Sequence, residues 1–367
     1  MNKKIRKIPL PVLWRVAAGL MAIVVCFLMI CLFEKQRADS LYTFFIAPLS
    51  SVSALTGLVS YITPMLFVAL GCTVVFQCRR YNLALIASFL LSACLVSIFL
   101  LQGDEKPVWY LVPAALIIGT AAGAVVTAIP GLMALRRRVN ITLSSLLLSY
   151  FVLQLSSFLL EHSLRDPNAA EGASFEIPQR LWLPRILPGT ELRLGVLFAA
   201  AALGLLYLLL YRSRIGYGIR AVGASESMSA YVGLSWSGVA MAAQLLAGAL
   251  AGFGGAVEMM GIQTRYVWNG VFPSVAMFGI LAALLADSNP LRAVLCCLFY
   301  GYLHQGAALL QAQTGFPTEV SLFAGTVSIL FYFALCADLI PLPINGKRAV
   351  KPGTAVEKTE KKEGEVG

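Results

Sequence analysis

Long apolar runs, each closed by charge, proline or glycine, divide most of the chain into ten stretches. They fall at residues 12–33, 53–76, 81–101, 108–132, 141–160, 194–211, 238–259, 271–286, 291–311 and 320–340. The runs are continuous rather than alternating, and most approach the roughly 20 residues a helix needs to cross a bilayer. An unpaired backbone amide in lipid costs several kcal/mol, so such runs predict helices that satisfy their own hydrogen bonds rather than barrel strands. The pattern predicts an all-α, polytopic membrane protein of about ten transmembrane helices. The seventh and eighth stretches are the least sharply separated, because 261–273 is short and partly polar and Gly279 interrupts the eighth.

Composition fits that pattern. The chain is 59% hydrophobic and 13% charged, with a mean hydropathy of +0.80, whereas soluble domains carry about a quarter charged residues. The net charge of +10 would suggest nucleic acid in a soluble protein. Here the basic residues sit in clusters between apolar runs, so membrane lipid is the expected surrounding and no nucleic-acid partner is expected. With ten spans both termini share a side. Lys35, Arg37, Lys106, Arg165, Arg180, Arg185, Arg193 and Arg265 fall on the other side, leaving 20 of the 28 Lys and Arg beside the termini. The positive-inside rule then places the N and C termini in the cytoplasm. The expected organisation is a basic cytoplasmic N-terminus over 1–11, a transmembrane domain over 12–340 and a charged, disordered cytoplasmic tail over 341–367. Within the domain lie an external loop, 161–193, and a polar cytoplasmic segment, 213–236. The first run is longer than a signal-peptide core and lacks a small-residue cleavage pattern after it, so it reads as an uncleaved span.

Chemistry-bearing patterns are scarce. Eight cysteines lie inside or at the edges of apolar runs, without a C-x-x-C pair, and the only histidines are His162 and His304. Neither a disulfide framework nor a metal site is expected. There is no G-x-x-x-x-G-K-S/T, G-x-S-x-G or H-E-x-x-H, so no phosphate loop, nucleophile elbow or metalloprotease helix is encoded. The chain reads as a transport component rather than an enzyme, with no catalytic residue and no cofactor of its own. Energy for transport is expected from a partner or an ion gradient.

The segment 213–236 is too polar to cross the bilayer. Ser225 is placed to cap a short helix whose Met228, Tyr231 and Val232 share a face, with Gly223 and Gly233 at its two ends. Such a compact knob between two spans suits docking on a cytoplasmic motor; a helix lying on the membrane surface is the plainer alternative. Gly216, Arg220, Ala221, Val222 and Gly223, followed by Gly233 and Leu234, resemble the coupling-loop motif of simple-sugar and nucleoside permeases, in the branched-chain amino acid and sugar class of ABC importers. The resemblance continues through Ala247 to Ala256 and Glu258, through Ala283, Leu284 and Leu285 with Asn289, Pro290 and Leu291, and through Gly315 to Glu319. The external stretch Leu183 to Thr190 is similar to the longer permease of nucleoside systems. The match covers about the second half of the chain. It implies a permease fold whose ATPase-coupling residues include Gly216, Arg220, Gly223, Glu226, Tyr231 and Gly233. It also implies a cytoplasmic ABC ATPase that binds the ATP, a second permease subunit (paralogue or identical copy) and an extracytoplasmic solute-binding lipoprotein.

The first half departs from the family pattern. Where the family has Asn-Ile-Gly-Ala-Glu-Gly-Gln, this chain has Asn82, Leu83, Ala84, Leu85, Ile86, Ala87 and Ser88; Val139, Asn140 and Ile141 replace Val-Asn-Glu. Candidates for the translocation path are Asn82, Asn140, Gln244 and Glu258, since polar groups at membrane depth usually face a cavity or a partner. Glu258, near an outer end, is expected as an interfacial carboxylate reaching the headgroups, with solute contact as the alternative. For Gln244 an interhelical hydrogen bond weighs equally against pore lining. Gly248, Gly252 and Gly255 are expected to be helix-packing positions, and His304 with Gln305 a structural polar pair. The expected solute is a nucleoside or simple sugar. Branched-chain amino acids, another small solute, or an ion-coupled secondary mechanism stand as alternatives.

Overall fold

A computed structural model describes residues 10–34, 37–103, 107–137, 139–167, 172–186, 189–231, 233–267 and 270–336. Most of the segment 1–11, the end of the tenth apolar stretch and all of the tail lie outside these residues.

Helices dominate. In chain order they are α1 (Leu10–Phe33), α2 (Arg37–Phe45), α3 (Ala47–Ser50), α4 (Val52–Gln77), α5 (Leu85–Gln102), α6 (Val108–Arg137) and α7 (Ile141–Leu159). Then follow α8 (Gly195–Arg212), α9 (Arg214–Ala224), α10 (Glu226–Tyr231), α11 (Trp236–Gly261), α12 (Ser274–Leu285), α13 (Pro290–Thr314) and α14 (Glu319–Cys336). Each of the ten apolar stretches holds one of these helices. Among the described residues eight helices, all but α12 and α14 of that set, are long and apolar enough to cross a membrane. The short α2 and α3 were not expected from the sequence.

The core is built around α4, whose apolar window is 89% buried, against 22% for α1 and for α8 at the periphery. The central helix is therefore sealed by neighbours, whereas the outer two leave apolar faces for lipid. The tightest seam joins α6 to α11. Gly119 and Gly123 face Gly248 and Gly252 so closely that a Cβ on Gly123 would lie 2.7 Å from the Gly252 Cα. Without a hydrophobic force between helices in lipid, such backbone proximity and the dispersion it allows supply the adhesion.

Two ends of the bundle differ in character. At the basic end, Arg15 of α1 pairs with Asp287 at 2.9 Å, and Gln77 Nε2 donates to the Ser288 carbonyl at 2.7 Å. Asp287 and Ser288, between α12 and α13, both have positive φ, 53° and 56°. At the opposite end, residues 172–186 and 189–193 form a compact cap. Ser174 N–H donates to the Tyr266 carbonyl at 2.8 Å and Leu183 N–H to the Met260 carbonyl at 2.9 Å. Trp182 sits inside this cap: its Nε1 donates to Ile177 O at 2.8 Å and the Arg193 guanidinium lies 4.6 Å from its ring centroid. Burial, with Arg185 nearby, holds the Arg193 guanidinium below its ordinary value.

Candidate functional site

At the basic end the segment after α8 turns back at once. Ser213, in extended conformation, accepts from Gly216 N–H with its hydroxyl and so caps α9. Gly216 is required by the turn, because a Cβ there would overlap the Leu209 and Leu210 carbonyls. The buried face of α9 is Gly216, Ile219, Val222 and Gly223, the i, i+3, i+4 spacing of a helix lying on a surface. Arg220 points the other way, its guanidinium 5.2 Å from the Tyr211 ring centroid.

Gly223 does not end a helix, as the sequence suggested. α9 runs through it, and a Cβ at that position would overlap the Gln77 carbonyl oxygen at the end of α4. The break comes at Ser225, and α10 follows. Gly233, with φ +79°, closes α10: its N–H reaches the Ala230 carbonyl and the Leu234 N–H reaches that of Ser229, each at 3.0 Å, a Schellman arrangement. Tyr231, 89% exposed, projects from this turn. The side chains of Glu226 and Met228, and Val232 altogether, lie outside the described residues.

Of the four candidate path residues, the structure brings two together. Asn82 Nδ2 donates to Gln244 Oε1 at 2.6 Å and to the Thr127 carbonyl at 3.2 Å. Thr127 Oγ1 donates to the Gln244 carbonyl at 2.8 Å. Asn82 and Gln244 are both buried, and the adjoining void of about 10 Å³ is at the threshold for a single water. Asn140 is elsewhere. It is the N-cap of α7, its Oδ1 accepting from the Thr142 and Leu143 N–H groups, and it is exposed.

Glu258 departs from the interfacial position expected of it. Its residue is 2% exposed and it lines a cavity of about 410 Å³ toward the opposite end of the bundle. The walls are Phe89 of α5, Glu258 and Met259 of α11, Gln263, Tyr266 and Phe272 of the following connection, the first turn of α12, His304 of α13, and Glu319 and Leu322 of α14. α12 has only 12 residues, so at ~1.5 Å per residue it spans about 18 Å of a hydrocarbon core roughly 30 Å thick. The rest of that crossing is the connection 262–273, whose described residues, 262–267 and 270–273, are not helical, and the N-terminus of α12 opens on the cavity. Such broken segments occur at membrane depth where they line a cavity.

Polar groups here are left without partners. Glu258 Oε2 and His304 Nδ1 are buried atoms with no hydrogen bond among the described residues. The His304 ring is stacked on Tyr61, centroids 4.0 Å apart, and Tyr61 Oη lies 3.3 Å from Ser274 Oγ. In the sequence His304 lacked a neighbouring carboxylate. Folding puts both on one cavity wall, a pairing 46 residues of separation concealed. Two other sizeable voids, of about 380 and 300 Å³, are lined by apolar side chains of α4, α6, α8 and α11 with Thr120 alone as a polar member. Gly255, expected at a helix contact, lies against the Phe89 carbonyl and Ser92. Among the described residues no group of three or more metal-ligating side chains occurs.

Residues 54–335 match the family model described as branched-chain amino acid transport system / permease component. The nucleoside ABC transporter permease protein NupB of Lactococcus lactis subsp. cremoris is 24% identical over 99% of this chain and all of its own length. The guanosine ABC transporter permease protein NupP of Bacillus subtilis is 28% identical over 74% of this chain and 78% of its own. The glucose ABC transporter permease protein TsgB13 of Haloferax volcanii is 25% identical over 80% of this chain and 79% of its own. Among solved structures, an inward-facing putative metal-chelate type ABC transporter aligns over 89% of this chain and 99% of its own, at 13% identity and a TM-score of 0.46.

Proposed function

The chain belongs to the branched-chain amino acid transport system permease family, a multi-pass plasma-membrane subunit of an ABC transporter, and from that premise we propose that it carries nucleosides. ABC permeases of this kind work with an ATPase and a binding protein. On our reading the ATP is bound by the ATPase subunit and not by this chain, the binding protein docks over the cap of residues 172–186 and 189–193, and a second permease subunit completes the path. The basic end faces the cytoplasm, in keeping with its arginines. The relatives carrying nucleoside and guanosine in their names support the solute class, and a cavity holding polar groups among aromatic rings suits it.

The observation that carries the mechanism is the seat of α9. Its Gly223 rests on the Gln77 carbonyl, and the Gln77 side chain holds the turn between α12 and α13. A push on α9 and α10 by the ATPase would thus reach α4 and the broken α12 through one residue, and α12 ends at the cavity. Alternating access follows when that push tilts these helices past their neighbours. Reconstituted with its partners, the complex is expected to take up labelled uridine or adenosine with ATP; uptake of branched-chain amino acids alone would overturn the solute assignment. Gly223→Pro is expected to abolish uptake and to uncouple ATP hydrolysis. Intact uptake with that variant would show the segment to be misread.

A further inference from the structure

The cavity offers a carboxyl oxygen that makes no hydrogen bond. Glu258 is almost fully buried; the Gln263 side chain lies close to its carboxyl, yet its Oε2 remains unbonded, and leaving a buried polar atom unmade carries its full desolvation cost. In either protonation state a carboxyl keeps acceptor lone pairs, so the missing group is an O–H or N–H donor brought by something that enters. The described lining holds no lysine or arginine, and it carries a second carboxyl, Glu319. The N-terminus of α12 contributes roughly half a positive charge, and no cationic side chain in the described lining adds to it to balance a phosphate. A phosphorylated solute is therefore disfavoured and a neutral one admitted. Around the carboxyl stand Phe89, Tyr266, Phe272 and Phe278, flat faces on which a base can stack.

We propose that this cavity is a solute subsite in which Glu258 accepts a hydrogen bond from the ribose hydroxyls of a nucleoside, the base lying on the aromatic wall, and which excludes nucleotides. This rests on the nucleoside reading above. The ribose end is assigned to Glu258 because its 2′ and 3′ hydroxyls are donors common to every ribonucleoside, whereas base-edge donors change from one base to the next. His304, with a partnerless Nδ1 and its ring fixed on Tyr61, supplies the adaptable polar contact, able to donate or accept by tautomer.

The assembled transporter in vesicles is the material for the test. Uptake of labelled uridine by the wild type is measured first; if none occurs, the nucleoside reading has failed, independently of the cavity. Where uptake occurs, a hydrophobic carbodiimide is used to label buried carboxyls, and Glu258 modification is followed by peptide mass spectrometry. Millimolar uridine is expected to slow Glu258 labelling fivefold or more, with little protection from 2′,3′-dideoxyuridine or uridine monophosphate. Equal protection by uridine and its dideoxy analogue, or none by either while uridine is transported, overturns the proposal. Glu258→Gln, close to isosteric, is expected to cut the uridine uptake rate at saturating binding protein at least tenfold, with unchanged amounts of assembled complex and a much smaller effect on dideoxyuridine. Equal losses for both solutes would mean Glu258 acts on the fold alone.

Discussion

The Asn82–Gln244–Thr127 cluster and the Glu258–His304 cavity are both polar islands in an apolar bundle, and they differ in how far their members bond one another and in the space beside them. The first is tied together by three hydrogen bonds of 2.6–3.2 Å, and the one amide nitrogen left over, Gln244 Nε2, has room for about one water beside it. The second leaves a carboxyl oxygen and an imidazole nitrogen unbonded beside about 410 Å³ of space. A polar group inside a membrane protein is therefore not by itself a sign of a path. Both islands leave a buried polar atom unbonded, so what separates structure from transport is the space in front of that atom, about 10 Å³ in one case and about 410 Å³ in the other.

The contrast can be attacked from its tightest point outward. Gly248→Val would drive a side chain into Thr127 and the Gly123 backbone; overpacking of this kind costs about 3 kcal/mol or more. Loss of folded permease in detergent, read by size-exclusion profile and thermal midpoint, is expected. Asn82→Ala strips the Gln244 oxygen of its donor and should cost ~1–3 kcal/mol of stability with little change in uptake per folded molecule. Combined with Gln244→Leu it should cost less than the two single changes summed, since the pair is coupled. A transport defect without destabilisation would move this cluster onto the path.

Glu258→Met should run the other way. Removing an unsatisfied buried polar atom is expected to raise stability by up to about 1 kcal/mol while uptake falls. A lowered melting midpoint would make Glu258 structural. The smallest effect on stability is expected for Tyr231→Ala, because that ring is 89% exposed. Its readout is transport-coupled ATP hydrolysis, which should drop while the thermal midpoint stays in place.

Apolar run length carried most of the architecture, because a helix in lipid has to bond its own backbone and a long run has few other outcomes. The short α2 and α3 escaped, since 37–50 mixes polar and apolar residues without a spanning run. The truncation of α12 escaped for the converse reason: 271–273 is as apolar as the helix it precedes, and only Pro273 marked the start. Local chemistry misled in two places. Asn140 stands ahead of an apolar run, which fits a cap as well as a path residue, and it is the cap. Gly223 was read as a turn, yet its missing Cβ serves an approach to Gln77, 146 residues away in sequence. The cavity was illegible for the same reason. Its walls come from five separate helices and one connection, and nothing near Glu258 in the chain announces that its oxygen will lack a partner.

Asp287 and Ser288 sit in the left-handed region, which aspartate tolerates and serine seldom adopts, so that Ser288 is held there at a cost of order 1–3 kcal/mol. The grip of Gln77 and Arg15 keeps the corner bent. Gln77 thus touches both the seat of α9 and a corner of the bundle where the backbone itself is held in a costly shape.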